Sequence, residues 1–119
     1  GVWDWNLETN ELYLDPSLKE MLGYAPAEIA DRLEAWKQLI HPEDQPGFTV
    51  SLQSCLTSNP SEYTYERRML HRDGSVRWFL GRGALLQDKQ GNPWRIMGTD
   101  TDITNLKLTE QALLKRERS

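Results

Sequence analysis

The chain has 119 residues, 27% charged and 38% hydrophobic, which fits one globular domain able to bury a core without disulfides or metals. Its formal net charge is -4, divided as 10 Lys/Arg against 16 Asp/Glu (-6) in residues 1–102 and 4 against 2 (+2) in residues 103–119. The acidic body argues against phosphate-driven nucleic-acid binding, no apolar run approaches the roughly 20 residues of a membrane span, and the single cysteine, Cys55, excludes an intrachain disulfide and suits a reducing compartment. A cytoplasmic domain is expected, with no nucleic-acid partner and no direct membrane contact. The abrupt start on Gly1-Val2-Trp3 reads as a piece excised from a larger protein, so a missing targeting signal carries no information about the parent, which is free to be membrane-anchored.

In chain order, "GVWDWNL" sets Trp3, Trp5 and Leu7 on one side and Asp4 and Asn6 on the other, the period of a half-buried strand. Asn10 suits a left-handed turn, and "LYL" resumes as a second short strand, giving a hairpin. "DPSLKEMLGYAPAEI" changes period: Asp15 caps, Pro16 takes the first helical position, and Leu18, Met21 and Leu22 share a face. Gly23 stops that helix, and Pro26 opens a brief turn through Ile29. "LEAWKQLI" puts Leu33, Trp36, Leu39 and Ile40 on one side of a third short helix, which Pro42 ends. A longer helix follows, with Phe48, Leu52, Cys55 and Leu56 in an amphipathic stripe and a break at Asn59-Pro60. "EYTYERRML", "VRWFLGRGALLQ" and "PWRIMGTDTDI" alternate as strands, joined by turns at Asp73-Gly74 and "DKQGN". Three strands leave one face bare, and the helices supply its cover, so an α+β domain is predicted: a five-stranded antiparallel sheet with short helices on one face.

Reactive side chains are few. His41 lies in "HPED", where Asp44 caps the next helix; His71 lies in "LHRDGS", and a solvated turn is its expected setting. Cys55 on an apolar stripe reads as a small buried hydrophobe. Asp100 and Asp102 stand at i and i+2, on one strand face, with no nucleophile or metal set to join them. A cleft between sheet and helices would be lined by Trp5, Met21, Ile29, Trp36, Phe48, Leu52, Cys55 and Met97, either as core or as the wall of a small-molecule pocket. The tail "NLKLTEQALLKRERS" has good helix formers, with Ile103, Leu106, Glu110, Leu113 and Glu117 at 3–4 spacing. It is shorter than the three or four heptads that identify a coiled coil.

These elements, in this order, resemble the PAS fold. "GVWDWNLETNELYL" is similar to the opening hairpin of its tryptophan-rich subclass, "LGY" before a proline to the link between its first helices, and "HPED" to the corner before its long helix. "RDGSVRWF" resembles its central hairpin and "GTDTDIT" its closing strand. Ala25 departs from a capping Ser or Thr, and Asn10 from a glycine. The resemblance implies a sensor domain over residues 1–104 and a C-terminal signalling helix over residues 105–119. It implies a non-enzymatic sensory and dimerising input module of a bacterial or archaeal signalling protein, upstream of a histidine kinase, diguanylate cyclase or phosphodiesterase. Asp102, Ile103 and Thr104 would relay the signal, with Thr104 capping the emerging helix, Arg68 and Arg77 as candidate salt-bridge partners of Asp102, and Ile103 plugging the core edge. A homodimer through the PAS faces and the terminal helix is expected. Haem-binding relatives use an axial histidine on the long helix, and flavin photosensors a cysteine in an Asn-Cys-Arg-Phe-Leu-Gln segment. Neither occurs here, so both cofactors are disfavoured and an unknown small molecule is left. The alternatives are a ligand-free docking domain and, further off, a small α+β enzyme.

Overall fold

The opening alternation builds a hairpin of β1 (Val2–Asn6) and β2 (Leu12–Leu14). The computed structural model describes residues 1–57 and 62–118; the predicted helix break at Asn59-Pro60 lies outside them. Asn10 turns the hairpin at φ 64°, a conformation asparagine tolerates better than most residues. Its side chain also accepts from Trp5 Nε1 at 3.0 Å and donates to Glu34 at 2.8 Å. β3 (Glu62–Leu70), β4 (Val76–Gln87) and β5 (Pro93–Asp102) form the long meander. The sheet order is β2-β1-β5-β4-β3, all antiparallel, so the N-terminal hairpin adds to β5 and covers its otherwise open edge.

Three short helices and two single turns of 3₁₀ helix cover one face: α1 (Pro16–Met21), a turn at Pro26–Glu28, α2 (Leu33–Lys37), a turn at Pro42–Asp44, and α3 (Gln45–Thr57). Asp15 caps α1, accepting from Ser17 N at 3.1 Å. The buried face of α1 differs from the predicted one. Leu18 and Leu22 are buried, but Met21 is 37% exposed and Lys19 takes the inward position. Lys19 can do so because Nζ uses all three donors, on Pro26 O, Ile29 O and Asp31 Oδ1 at 2.7–2.9 Å. That stitches α1 to the following loop and leaves no buried donor unpaired. Gly23, at φ 83°, ends the helix; a Cβ there would stand 2.6 Å from the His71 ring. His71 is therefore packed against this turn instead of solvated.

On α3, Phe48, Leu52 and Cys55 are buried, and Leu56 lies against the core cluster. Trp36, Ile40, Met69, Phe79 and Ile96 complete the centre of the core. Each such large side chain contributes about 1.5–3 kcal/mol on burial. The final helix, α4 (Thr104–Arg118), buries none of its residues. It projects from the end of β5 in a molecule 57 Å long and 35 Å across.

Candidate functional site

Inward positions of the three long strands are set by register. Arg67 faces Phe79 on β4, and Asp100 faces Gly81. Gly81 lacks the side chain that would separate β3 from β5 above the sheet. A Cβ there would stand 2.7 Å from Asp100 Oδ1 and 2.9 Å from Arg67 Nη1. Across that gap Arg67 and Asp100 join in a two-pronged ion pair, Nη1 to Oδ1 at 2.7 Å and Nη2 to Oδ2 at 3.0 Å. The side chains are 1% and 2% exposed. The carboxylate holds the guanidinium charged: its attraction raises the Arg67 pKa, against desolvation, the largest influence, which lowers it. Gly83 and Gly98 leave room for the Trp3 indole, which a Cβ on either would meet within 2.7 Å. Trp3 sets its edge on Tyr63, centroids 5.4 Å apart and planes at 88°, and Tyr63 meets Phe48 likewise at 6.4 Å. Burial pushes the Tyr63 hydroxyl well above its ordinary pKa.

A cavity of about 20 Å³ remains beside the pair, room for one water-sized group. Trp5, Trp36, Phe48 and Leu52 line it as the sequence suggests, and Trp3, Tyr63, Arg67 and Asp100 join them. Ile29 and Cys55 are buried in the core without reaching the cavity. Met21 faces outward on α1. Met97 is on the opposite sheet face, because it alternates with inward Ile96 and pairs with Asp4 and Ala84. Arg67 Nε has no acceptor among the described residues, although its other nitrogens are satisfied by Asp100.

The second candidate region is the joint between β5 and α4. Ile103 N donates to Trp78 O at 2.8 Å, and Trp78 N donates to Thr104 Oγ1 at 2.9 Å, so two hydrogen bonds tie the start of α4 to β4. Asp102 Oδ1 accepts from Thr104 N at 2.8 Å and from its hydroxyl. The predicted roles are exchanged: Asp102 satisfies a free N–H at the start of the helix, and Thr104 makes the cross-strand bond. Ile103 is half-buried at the core edge. One turn on, Lys107 pairs with Glu66 and stands 4.9 Å from the centroid of the Trp78 ring, whose neighbour Arg68 lies at 5.9 Å.

The PAS fold family's sequence pattern matches residues 11–100. The chain belongs to the PAS-fold family. In structure it is similar to a sensory box histidine kinase/response regulator from Burkholderia thailandensis, at 35% identity and TM-score 0.81, covering 99% of this chain and 88% of that one. It is also similar to the N-terminal domain of a diguanylate cyclase with PAS/PAC sensor from Marinobacter aquaeolei, at 25% identity and TM-score 0.76, covering 89% and 96%. In sequence it is 32% identical over 98 residues to the peroxide stress-activated histidine kinase mak1 of Schizosaccharomyces pombe, 82% of this chain and 6% of that protein. It is 26% identical over 117 residues to the probable diguanylate cyclase DgcE of Escherichia coli, 98% of this chain and 10% of that protein. The chain spans about a tenth or less of the length of these two relatives.

Within this PAS domain, Arg68 and Arg77 do not pair with Asp102. Arg68 donates to Asp44 through Nε at 3.0 Å and Nη2 at 2.8 Å, and to Glu43 at 3.0 Å. Arg77 Nε has no acceptor among the described residues. The buried pair instead joins Arg67, one residue before Arg68, to Asp100, two residues before Asp102. The legible signal was the i, i+2 spacing of Gly81 and Gly83 on one strand face, which marks a place where neighbouring side chains cross the sheet. His41 Nδ1 accepts from Glu43 N at 3.2 Å and caps the turn at Pro42–Asp44. Burial pushes the Cys55 thiol up, away from the thiolate that ligation or nucleophilic attack needs. Among the described residues, no group of three or more His, Cys, Asp or Glu side chains could hold a metal ion.

Proposed function

We propose that this PAS domain is the sensory and dimerising input module of a multidomain signal-transduction protein, one whose output is a histidine kinase or a cyclic-di-GMP enzyme. Its likeness to domains of such proteins supports the assignment, and catalysis is assigned to other parts of the parent chain. A small molecule, in preference to haem or flavin, is the proposed ligand: α3 carries no histidine, and Cys55 is buried with a raised pKa. The cavity, with its free Arg67 donor, favours a sensor over a ligand-free docking domain. Dimerisation is assigned to the PAS faces and α4, where Leu106, Leu108, Leu113 and Leu114 are about half exposed or more. No helix of the described residues is long and apolar enough to cross a membrane.

The observation that carries the relay is the hydrogen-bonded joint. Asp102, Ile103 and Thr104 couple the end of β5 and the backbone of Trp78 to the first turn of α4, so a shift of either strand redirects the helix. Asp102→Ala removes the carboxylate that satisfies Thr104 N. Loss of such a cap costs about 1 kcal/mol. The isolated domain is expected to keep its circular dichroism spectrum, and the parent protein to change its kinase or cyclase output. Unchanged output in a folded variant refutes the relay.

A further inference from the structure

The exposed stripe of α4 has charges inside it. Ile103, Leu106, Glu110, Leu113 and Glu117 recur at alternating intervals of three and four, the spacing at which two helices wound side by side bury a seam. Leu106 and Leu113 are 64% and 53% exposed, so the described residues leave this seam uncovered. In a parallel pair of two copies, each seam residue meets its own counterpart. Glu110 then faces Glu110, and Glu117 faces Glu117, and like charges moved out of water oppose the pairing. The two glutamates differ in their surroundings. The residue just before each one flanks its counterpart across the pair. Before Glu117 stands Arg116, which brings a cation to the opposing glutamate; before Glu110 stands Thr109, which brings none.

The cation beside Glu110 lies on its own helix, one turn back. Lys107 Nζ is 3.9 Å from Glu110 Oε2, but it is engaged elsewhere: it pairs with Glu66 on β3 and stands 4.9 Å from the Trp78 ring centroid. One cation therefore lies between two carboxylates, one on the sheet and one on the pairing seam. We infer that Lys107 is a charge switch between them. Held by Glu66, it leaves Glu110 uncompensated, and the α4 helices of two copies stay apart. Released when β3 moves relative to α4, it turns to Glu110, neutralises the seam and lets the two helices pair in parallel. The occupant of the seam is α4 of a second copy, because the seam complements itself, leucine against leucine and Arg116 beside Glu117. The inference deepens the dimerising-module reading above and rests on it: the joint at Asp102–Thr104 aims the helix, and Lys107 decides whether it pairs.

The test uses this chain with a spin label at Gln111 and reads the fraction of molecules whose labels on two copies are close. Glu66, Lys107 and Glu110 lie outside the apolar core, so their variants are expected to fold. Glu66→Gln, which releases Lys107 without removing it, should raise the close fraction at least roughly fivefold, as should Glu110→Leu, which removes the like charge. Lys107→Met also frees the helix from the sheet but carries no charge to the seam, so it should not raise the fraction. In the Lys107→Met or Glu110→Leu background, Glu66→Gln should add nothing further. An equal rise with Lys107→Met would show that mere loosening of α4 suffices and would overturn the switch. If Glu110→Leu pairs and Glu66→Gln does not, the switch falls and dimerisation through α4 stands. If Glu110→Leu itself gives no close fraction, a second copy does not occupy the seam, and both the switch and the assignment of dimerisation to α4 fall.

Discussion

At the scale of single residues, the absence of a side chain at Gly81 does more than any group present. It lets a β3 arginine and a β5 aspartate meet across β4, and the result is a charged pair at the centre of an apolar layer. Such a pair is weak evidence for stability while both partners are present, but removing one leaves a buried charge uncompensated. Asp100→Asn should therefore cost about 3–5 kcal/mol, measured as a fall in denaturation midpoint at constant m-value. Replacing both, as Arg67→Met with Asp100→Leu, should recover most of that loss. If the double variant is no more stable than Asp100→Asn, the pair stabilises the fold by a route other than mutual neutralisation.

At the scale of elements, the starts of α1 and α4 are each held by a preceding carboxylate, Asp15 on Ser17 N and Asp102 on Thr104 N. The corner before α3 shows the clearest electrostatic consequence. Asp44 accepts from Arg68 N at 2.8 Å and from the Arg68 guanidinium, and His41 N donates back to Arg68 O at 2.9 Å. The side-chain hydrogen bond from Arg68 is the largest influence and holds the Asp44 carboxyl below the usual aspartate range. A carboxylate depressed in the native state stabilises the fold fully above its unfolded pKa. That stabilisation is lost as pH falls through the lower native value. The denaturation midpoint of the natural sequence should thus decline on acidification below about pH 4, and Asp44→Asn should show a lower midpoint at neutral pH and a shallower acid decline. Equal acid slopes for the two proteins would remove Asp44 from the account.

At the scale of the molecule, α4 stands apart from the core, and Lys107 is its one half-buried residue beyond the first position. Between Glu66 and the face of Trp78, Lys107 fixes the direction in which α4 leaves the sheet. Lys107→Glu would place like charges together and remove the cation from the ring. The distance distribution between spin labels at Thr64 and Gln111 should broaden, with the melting midpoint changed little; an unchanged distribution would mean that the joint alone holds the helix. By itself the sequence determined the elements: strand and helix periods, the turns at Asn10 and Asp73-Gly74, the α+β class and the family pattern. These depend on residues within a few positions of one another, where periodicity and turn chemistry act. Met21 and Met97 were misplaced because periodicity names faces approximately, His71 because its turn packs against the distant Gly23, and Lys19, with three local acceptors, took a place that a hydrophobe would be expected to fill. Only the tertiary structure decided which arginine meets which aspartate. That depends on strand register across Gly81, and a shift of one residue turns every side chain to the other face of the sheet.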